Sequence, residues 1–199
     1  MIPQHTLSPA FLGKQMQIAF VVKDLQETLR YWTQTMKVGP FVVIQNAGVD
    51  RLFFHRGELS PVEMDLAFAY VGDVQIEIIC QTNTAPSLYQ EFLSAGNEGM
   101  HHVAFWPENF EASCRELERT GCELVCSLQA PAGTVQVNYY SGPKHLGVML
   151  EVGPMTPDRA RYFGGIKALA DKWDGTRPVR TFRSRAEFMA SPDCKPHTS

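Results

Sequence analysis

Four side chains of this 199-residue chain have the types and spacing to act on one chemical centre. The segment Gly99-Met100-His101-His102-Val103-Ala104-Phe105-Trp106 is a histidine pair opening a short apolar strand. Successive side chains on a strand point to opposite faces, so one histidine is expected to look inward and the other away. Strand histidines on their own are usually satisfied by backbone carbonyls. A second copy of the pattern changes that reading. Gln17-Ile18-Ala19-Phe20-Val21-Val22-Lys23-Asp24-Leu25 aligns without a gap over the segment that starts at His102, at an offset of 85 residues. Ala19 meets Ala104, Phe20 meets Phe105, and Asp24 meets Asn109, both helix N-cap types. Arg30 meets Arg115 and Thr35 meets Thr120, so the register runs through a strand, a cap and a helix.

The copies also end alike. Val74-Gln75-Ile76-Glu77-Ile78 resembles Val148-Met149-Leu150-Glu151-Val152, each an apolar strand interrupted by one glutamate. A carboxylate in such a strand is costly unless it is paired or bound to a cation. Each copy thus offers one ligand on its first strand, Gln17 or His102, and one on its last, Glu77 or Glu151. An amide oxygen, an imidazole and two carboxylates form a hard set suited to one divalent ion, Zn²⁺, Ni²⁺, Co²⁺, Mn²⁺ or Mg²⁺. The two carboxylate charges cancel the cation, leaving a moderate Lewis acid for substrate oxygens. Charge stabilised on a carbonyl lowers the barrier to removing the adjacent proton. Glu151 is the expected base, with Glu77 available to return the proton.

On these residues the chain resembles the vicinal oxygen chelate superfamily, which includes glyoxalase I, methylmalonyl-CoA epimerase, extradiol dioxygenases and bleomycin-resistance proteins. The resemblance implies an α+β fold in which paired βαβββ modules form a curved, partly open mixed sheet around a metal, here followed by a C-terminal helical extension. It covers roughly residues 14 to 154. Pro86-Ser87, Phe92-Leu93 and Gly99 to His102 are most similar to the epimerase branch, whereas the ligand set Gln17, Glu77, His102 and Glu151 is similar to that of some glyoxalase I enzymes. The implied function is a metal-dependent isomerase, epimerase or lyase. It would move a proton next to the carbonyl of a small acyl thioester, hemithioacetal or oxo acid, and a homodimer is expected. Alternatives on the same fold are an extradiol dioxygenase, a thiol transferase and a non-catalytic small-molecule binder. Gln17 argues against the dioxygenase, which would want two histidines and a carboxylate on iron.

The elements around these residues follow from local pattern. Residues 1–155 are expected to hold the two modules, about 14–96 and 99–155, with a helix and tail over 156–199. A hydrophobic content of 44% supports a full core, and a net charge of −3 gives no argument for nucleic acid or membrane partners. Met1 to Lys14 shows no export-signal pattern, and a cytoplasmic protein is expected. Five cysteines without a CxxC pair suggest neither a disulfide framework nor a zinc knuckle.

Asp24 starts a helix along Leu25, Leu29, Trp32 and Met36, and Asn109 starts another along Phe110, Cys114 and Leu117. Residues 51–70 read as two strands around a Gly57 to Pro61 turn, and alternation sets Asp65, Ala67 and Ala69 opposite Leu66, Phe68 and Tyr70. Asp65 is a candidate second carboxylate for substrate by its strand position. The Ser141 to Gly147 loop precedes the Glu151 strand, making Lys144 and His145 candidates for an anionic substrate group. Thr156-Pro157 caps a helix whose stripe of Tyr162, Phe163, Ile166, Leu169 and Trp173 needs a partner, either the sheet exterior or another subunit. The Arg177 to Ser199 tail reads as a polar, solvated arm.

Overall fold

A computed structural model describes residues 11–194, so most of the Met1 to Lys14 stretch and the last five residues of the tail lie outside it. The first repeat supplies β1 (Lys14–Val21), α1 (Leu25–Arg30, continued by a π-turn over Tyr31–Thr35), β2 (Phe41–Ile44), β3 (Leu52–His55), β4 (Glu58–Ser60), β5 (Met64–Val71) and β6 (Val74–Gln81). After α2 (Leu88–Ser94) the second supplies β7 (Gly99–Trp106), α3 (Phe110–Arg119), β8 (Glu123–Gln129), β9 (Val135–Ser141) and β10 (Met149–Val152). The chain goes on through α4 (Pro157–Asp171), β11 (Val179–Phe182) and α5 (Arg185–Ala190). Asp24, Ser87, Asn109, Thr156 and Ser184 each accept a backbone N–H in the first turn of a helix, which fixes where the five α-helices begin.

All eleven strands join one curved mixed sheet in the order β11-β2-β5-β6-β1-β7-β10-β9-β8-β3-β4, whose two ends do not pair. At its centre β1 and β7 run antiparallel, with β6 parallel to β1 and β10 parallel to β7. The register is two-fold symmetric. Gln17 lies opposite Ala104 and Ala19 opposite His102, while Ala19 neighbours Glu77 and Ala104 neighbours Glu151. The repeat seen in the sequence is therefore a repeat in space, and it brings both first strands and both last strands together.

Side-chain alternation divides the molecule into layers. On the outer face, Leu25 and Leu29 of α1 pack over Val43, Ala67 and Ile78, and Cys114 and Leu117 of α3 pack over Tyr140, Leu150 and Val152. Met64, Leu66, Phe68 and Tyr70 face the concave interior together with Leu128, Val137 and Tyr139. The apolar stripe of α4 turns to this interior, not to the sheet exterior. Tyr162 and Ile166 join the inner cluster, with Tyr162 edge-on to Phe68 and Phe163 stacked on Trp106. Ile166 and Phe188 are wholly buried, each worth roughly 1.5–3 kcal/mol in burial. The concave side gives the helix a surface that is apolar and curved to receive it.

Two further expectations change. The turn after β3 is at Arg56-Gly57, and the β3–β4 hairpin does not stay with its own repeat: β3 pairs with β8. The tail is not a solvated arm over its described part. β11 adds to the sheet beside β2, Arg180 pairs with Asp193 at 2.6 Å, and Phe188 of α5 anchors it. One aromatic per element is too sparse to show as a hydrophobic period, and backbone pairing at a sheet edge leaves no mark in composition.

Candidate metal centre

Glu77, His102 and Glu151 meet on the concave face. Their ligand atoms all lie within 4.8 Å of one another and all three residues are buried. Alternation puts them there, because Ile76 and Ile78, Val103, and Leu150 and Val152 take the outer face of the same strands. His102 Nε2 stands 3.1 Å from Glu151 Oε2 and 3.5 Å from Glu77 Oε2, yet neither contact has hydrogen-bond geometry. Glu77 Oε2 and His102 Nε2 are both buried without a hydrogen-bond partner.

Gln17 is buried as well, and its Nε2 donates to Gln75 Oε1 at 2.6 Å. Gln75 Nε2 in turn donates to the Tyr70 hydroxyl at 2.9 Å. This relay fixes the Gln17 amide by its nitrogen and leaves Oε1 buried and unpartnered. An unmade hydrogen bond at a buried group costs about 1–3 kcal/mol, more when the group is charged. Three such atoms of ligating type around one cavity fit a divalent ion, and the donor set needs no other residue. The four ligands inferred from the repeat thus line one concave face, three of them as a tight group.

The second histidine behaves differently from expectation. Ala19 pairs with His102 and Phe20 with Met100, so His101 is the extra residue of a β-bulge. The bulge breaks alternation, and both rings come to the same region, with Nδ1 of His101 3.0 Å from Nδ1 of His102. Burial, edge-on against Tyr89 and Phe92, pushes the His101 imidazole down to about 3, so it stays neutral and accepts at Nδ1. The proton on that line belongs to His102 Nδ1, which aims His102 Nε2 at the carboxylates.

Electrostatics treat the three-residue group as a trap for positive charge. Burial opposes a charged His102, but the close approach and negative charge of Glu151 and Glu77 outweigh it and raise the imidazole to about 9. Burial raises the Glu77 carboxyl. The same burial acts on Glu151, yet the close His102 imidazole and its charge, with help from Tyr139 and Arg159, hold it below the ordinary value. The two carboxyls differ before any ion is bound.

The group opens into a cavity of about 520 Å³, within the range of small-molecule sites. Apolar side chains such as Leu66, Phe68 and Val137 line it, and α4 closes one side with Tyr162 and Phe163. Asp65, Lys144 and His145 do not line it. The Asp65 carboxylate is on the other face of β5 and accepts the Asn46 N–H at 2.8 Å, stabilising the turn after β2. Lys144 and His145 sit exposed on a single 3-10 turn before β10, whereas the cavity is reached from the other end of that strand, where Pro154 and Thr156 lead into α4. Arg51 and Arg159 do line it and were not singled out in the sequence. Both lie outside the matched segments of the repeat.

A family model described as "Glyoxalase/Bleomycin resistance protein/Dioxygenase superfamily" matches residues 16–139, ending before Glu151. A search of curated proteins finds no match. Among solved structures, methylmalonyl-CoA epimerase from Mycobacterium tuberculosis is similar at 18% identity and TM-score 0.53, over 78% of this chain and 97% of that one. A hypothetical protein, BH1468 from Bacillus halodurans C-125, is similar at 17% identity and TM-score 0.53, over 72% and 94%. Methylmalonyl-CoA epimerase from Streptomyces coelicolor, in complex with 2-nitronate-propionyl-CoA, is similar at 15% identity and TM-score 0.51, over 73% and 96%. At these identities the likeness shows the fold alone.

Proposed function

Because the chain belongs to the glyoxalase, bleomycin resistance protein and dioxygenase superfamily, we propose that it is a metal-dependent isomerase, epimerase or lyase that moves a proton next to a carbonyl. The observation that carries this reading is the convergence of Glu77, His102 and Glu151, with Gln17, its oxygen unpartnered, lining the same cavity. These four residues would hold one divalent ion. Such an ion supplies Lewis-acid stabilisation of the negative charge that develops on a substrate carbonyl oxygen. Glu151, the carboxyl held low, takes the α-proton, and Glu77, the carboxyl pushed up, gives a proton back. His101 keeps His102 in one tautomer, and Gln75 keeps the Gln17 oxygen turned inward. The apolar walls and α4 exclude water from the reacting carbon. Candidate substrates are small acyl thioesters, hemithioacetals and oxo acids.

Elemental analysis after reconstitution, for the protein and for His102→Ala, tests the reading first. About one equivalent of divalent metal, lost in the variant, is expected. Solvent deuterium entering the α-carbon of a candidate substrate would then identify the reaction. Absence of metal from the reconstituted protein would overturn the proposal.

A further inference from the structure

Arg51 and Arg159 stand in the same cavity as the carboxylate-histidine group and lack carboxylate partners. Neither is within 4.0 Å of an acidic oxygen among the described residues, although Asp50 and Asp158 lie on the exposed rim. Arg51, on the crossover from β2 to β3, is partly buried, and its Nε is buried without a partner. Arg159, in the first turn of α4, is held by neutral groups only, donating to the carbonyls of Pro154 at 2.8 Å and Gln136 at 3.0 Å. A Cβ at position 153 would collide with this guanidinium, so Gly153 is the space it occupies. Burial pulls Arg159 below the usual guanidinium value, and the nearby Arg51 charge adds to the effect. Two further polar atoms of the cavity lining, Gln136 Oε1 and the Tyr162 hydroxyl, are also buried and unpartnered.

Charge balance says what this arrangement awaits. Glu77 and Glu151 offset the two guanidiniums only as long as no cation sits between them. A divalent ion on the carboxylates would take up their charge and leave two positive side chains facing one small, largely apolar space, an arrangement that is costly until an anion enters. Guanidinium forks suit carboxylate and phosphate oxygens, which they can bind through paired N–H donors.

We propose that Arg51 and Arg159 form the anion subsite of this cavity, which selects a compact substrate with an apolar body and an anionic oxygen group, a carboxylate or a phosphate. The subsite rests on the metal-centre reading for its orientation, because the carbonyl end must then lie toward Glu77, His102 and Glu151. It is built from a crossover and from α4, so the C-terminal extension is part of the binding site.

The test uses the full chain loaded with Co²⁺, whose visible absorption reports the metal centre independently of the anion. Isobutyrate, its neutral isostere isobutyramide, and inorganic phosphate are titrated by calorimetry into the protein, Arg51→Met and Arg159→Met. Whichever of isobutyrate and phosphate binds tighter is expected to lose at least tenfold in affinity in each variant, with isobutyramide binding weakly and alike in all three. Arg159 also holds two backbone carbonyls, so its variant is read only beside Arg51→Met, whose lost side chain donates no hydrogen bond among the described residues. Unchanged anion affinity in Arg51→Met, or isobutyramide binding as tightly as isobutyrate, overturns the subsite. Failure of the Co²⁺ spectrum to form, with arginine-dependent anion binding retained, overturns the metal reading instead and leaves the subsite standing.

Discussion

Met16 and His101 hold the same place in the two halves of the central sheet, each the unpaired residue of a bulge just before the inward-facing Gln17 or His102. Gln75 and Met149 are likewise equivalent, each opposite one of those candidate ligands on the parallel neighbour. The backbone is thus duplicated while the means of fixing the ligand is exchanged. In the second half the bulged residue itself does it, His101 meeting His102, and the neighbouring strand offers only Met149. In the first half a methionine fills the bulge, and Gln75 on the neighbouring strand holds the Gln17 amide. An amide must be held by its nitrogen for its oxygen to be presented, and an imidazole by one nitrogen for the other to be presented. Copying a strand register does not copy that support, which each half has had to supply with different residues.

The largest effect should come from breaking the equivalence of the two glutamates. Glu151→Gln is expected to slow solvent deuterium exchange into substrate by about 10³-fold, the usual scale for loss of a general base, while the protein still takes up Co²⁺. Glu77→Gln should leave proton removal measurable and instead suppress return on the opposite face, seen as a change in the stereochemistry of deuterium incorporation.

Next in size is the support in the first half. Gln75→Met makes that half resemble the second at this position, and its loss should weaken metal binding by about 10–100-fold, measured by competition with a chelator. His101→Phe removes the support of the other half and carries a pH signature. His101 is depressed to about 3, so below its ordinary value of 6.5 the unfolded chain binds a proton that the native state refuses. Stability is therefore full above pH 6.5 and falls as the pH drops toward 3, by about 2 kcal/mol between pH 6.5 and 5. The variant should lack that part of the slope in urea denaturation, while His102, raised to about 9, keeps its proton in the native state across this window and opposes the fall only slightly. The smallest effect is expected of Gln17→His, which makes the ligands symmetric. Imidazole is softer than an amide oxygen, so the preference should move from Mg²⁺ toward Zn²⁺ with little change in fold stability.

The candidate ligands were legible because duplication printed them twice. Gln17 over His102 and Glu77 over Glu151 are alignments of sequence with itself, and β-strand periodicity then sends all four inward. The bulge at His101 was not legible, because alternation assumes an uninterrupted ladder and one extra residue reverses every side chain beyond it. Asp65, Lys144 and His145 were assigned from nearness in sequence to strands of the site. Strand direction and face decide against that nearness, with Asp65 turned outward and the Lys144 turn at the end of β10 away from α4. Arg51 and Arg159 depend on the path of a crossover and the docking of an extension, neither of which has a period to read. The two-module organisation followed from the repeat and the curved sheet from the family resemblance, whereas the seat of α4 followed from a concavity that no linear pattern encodes.

The β3–β4 hairpin, which leaves the first repeat to lie against β8 of the second, bears on how such a chain can be cut. Half of this protein would carry a sheet edge made for a hairpin it does not own. The loan runs one way, since the matching edge strand of the first half, β2, is covered by β11 of the C-terminal extension. Separately expressed halves divided near Gly96 should accordingly recover their structure as a pair and not alone.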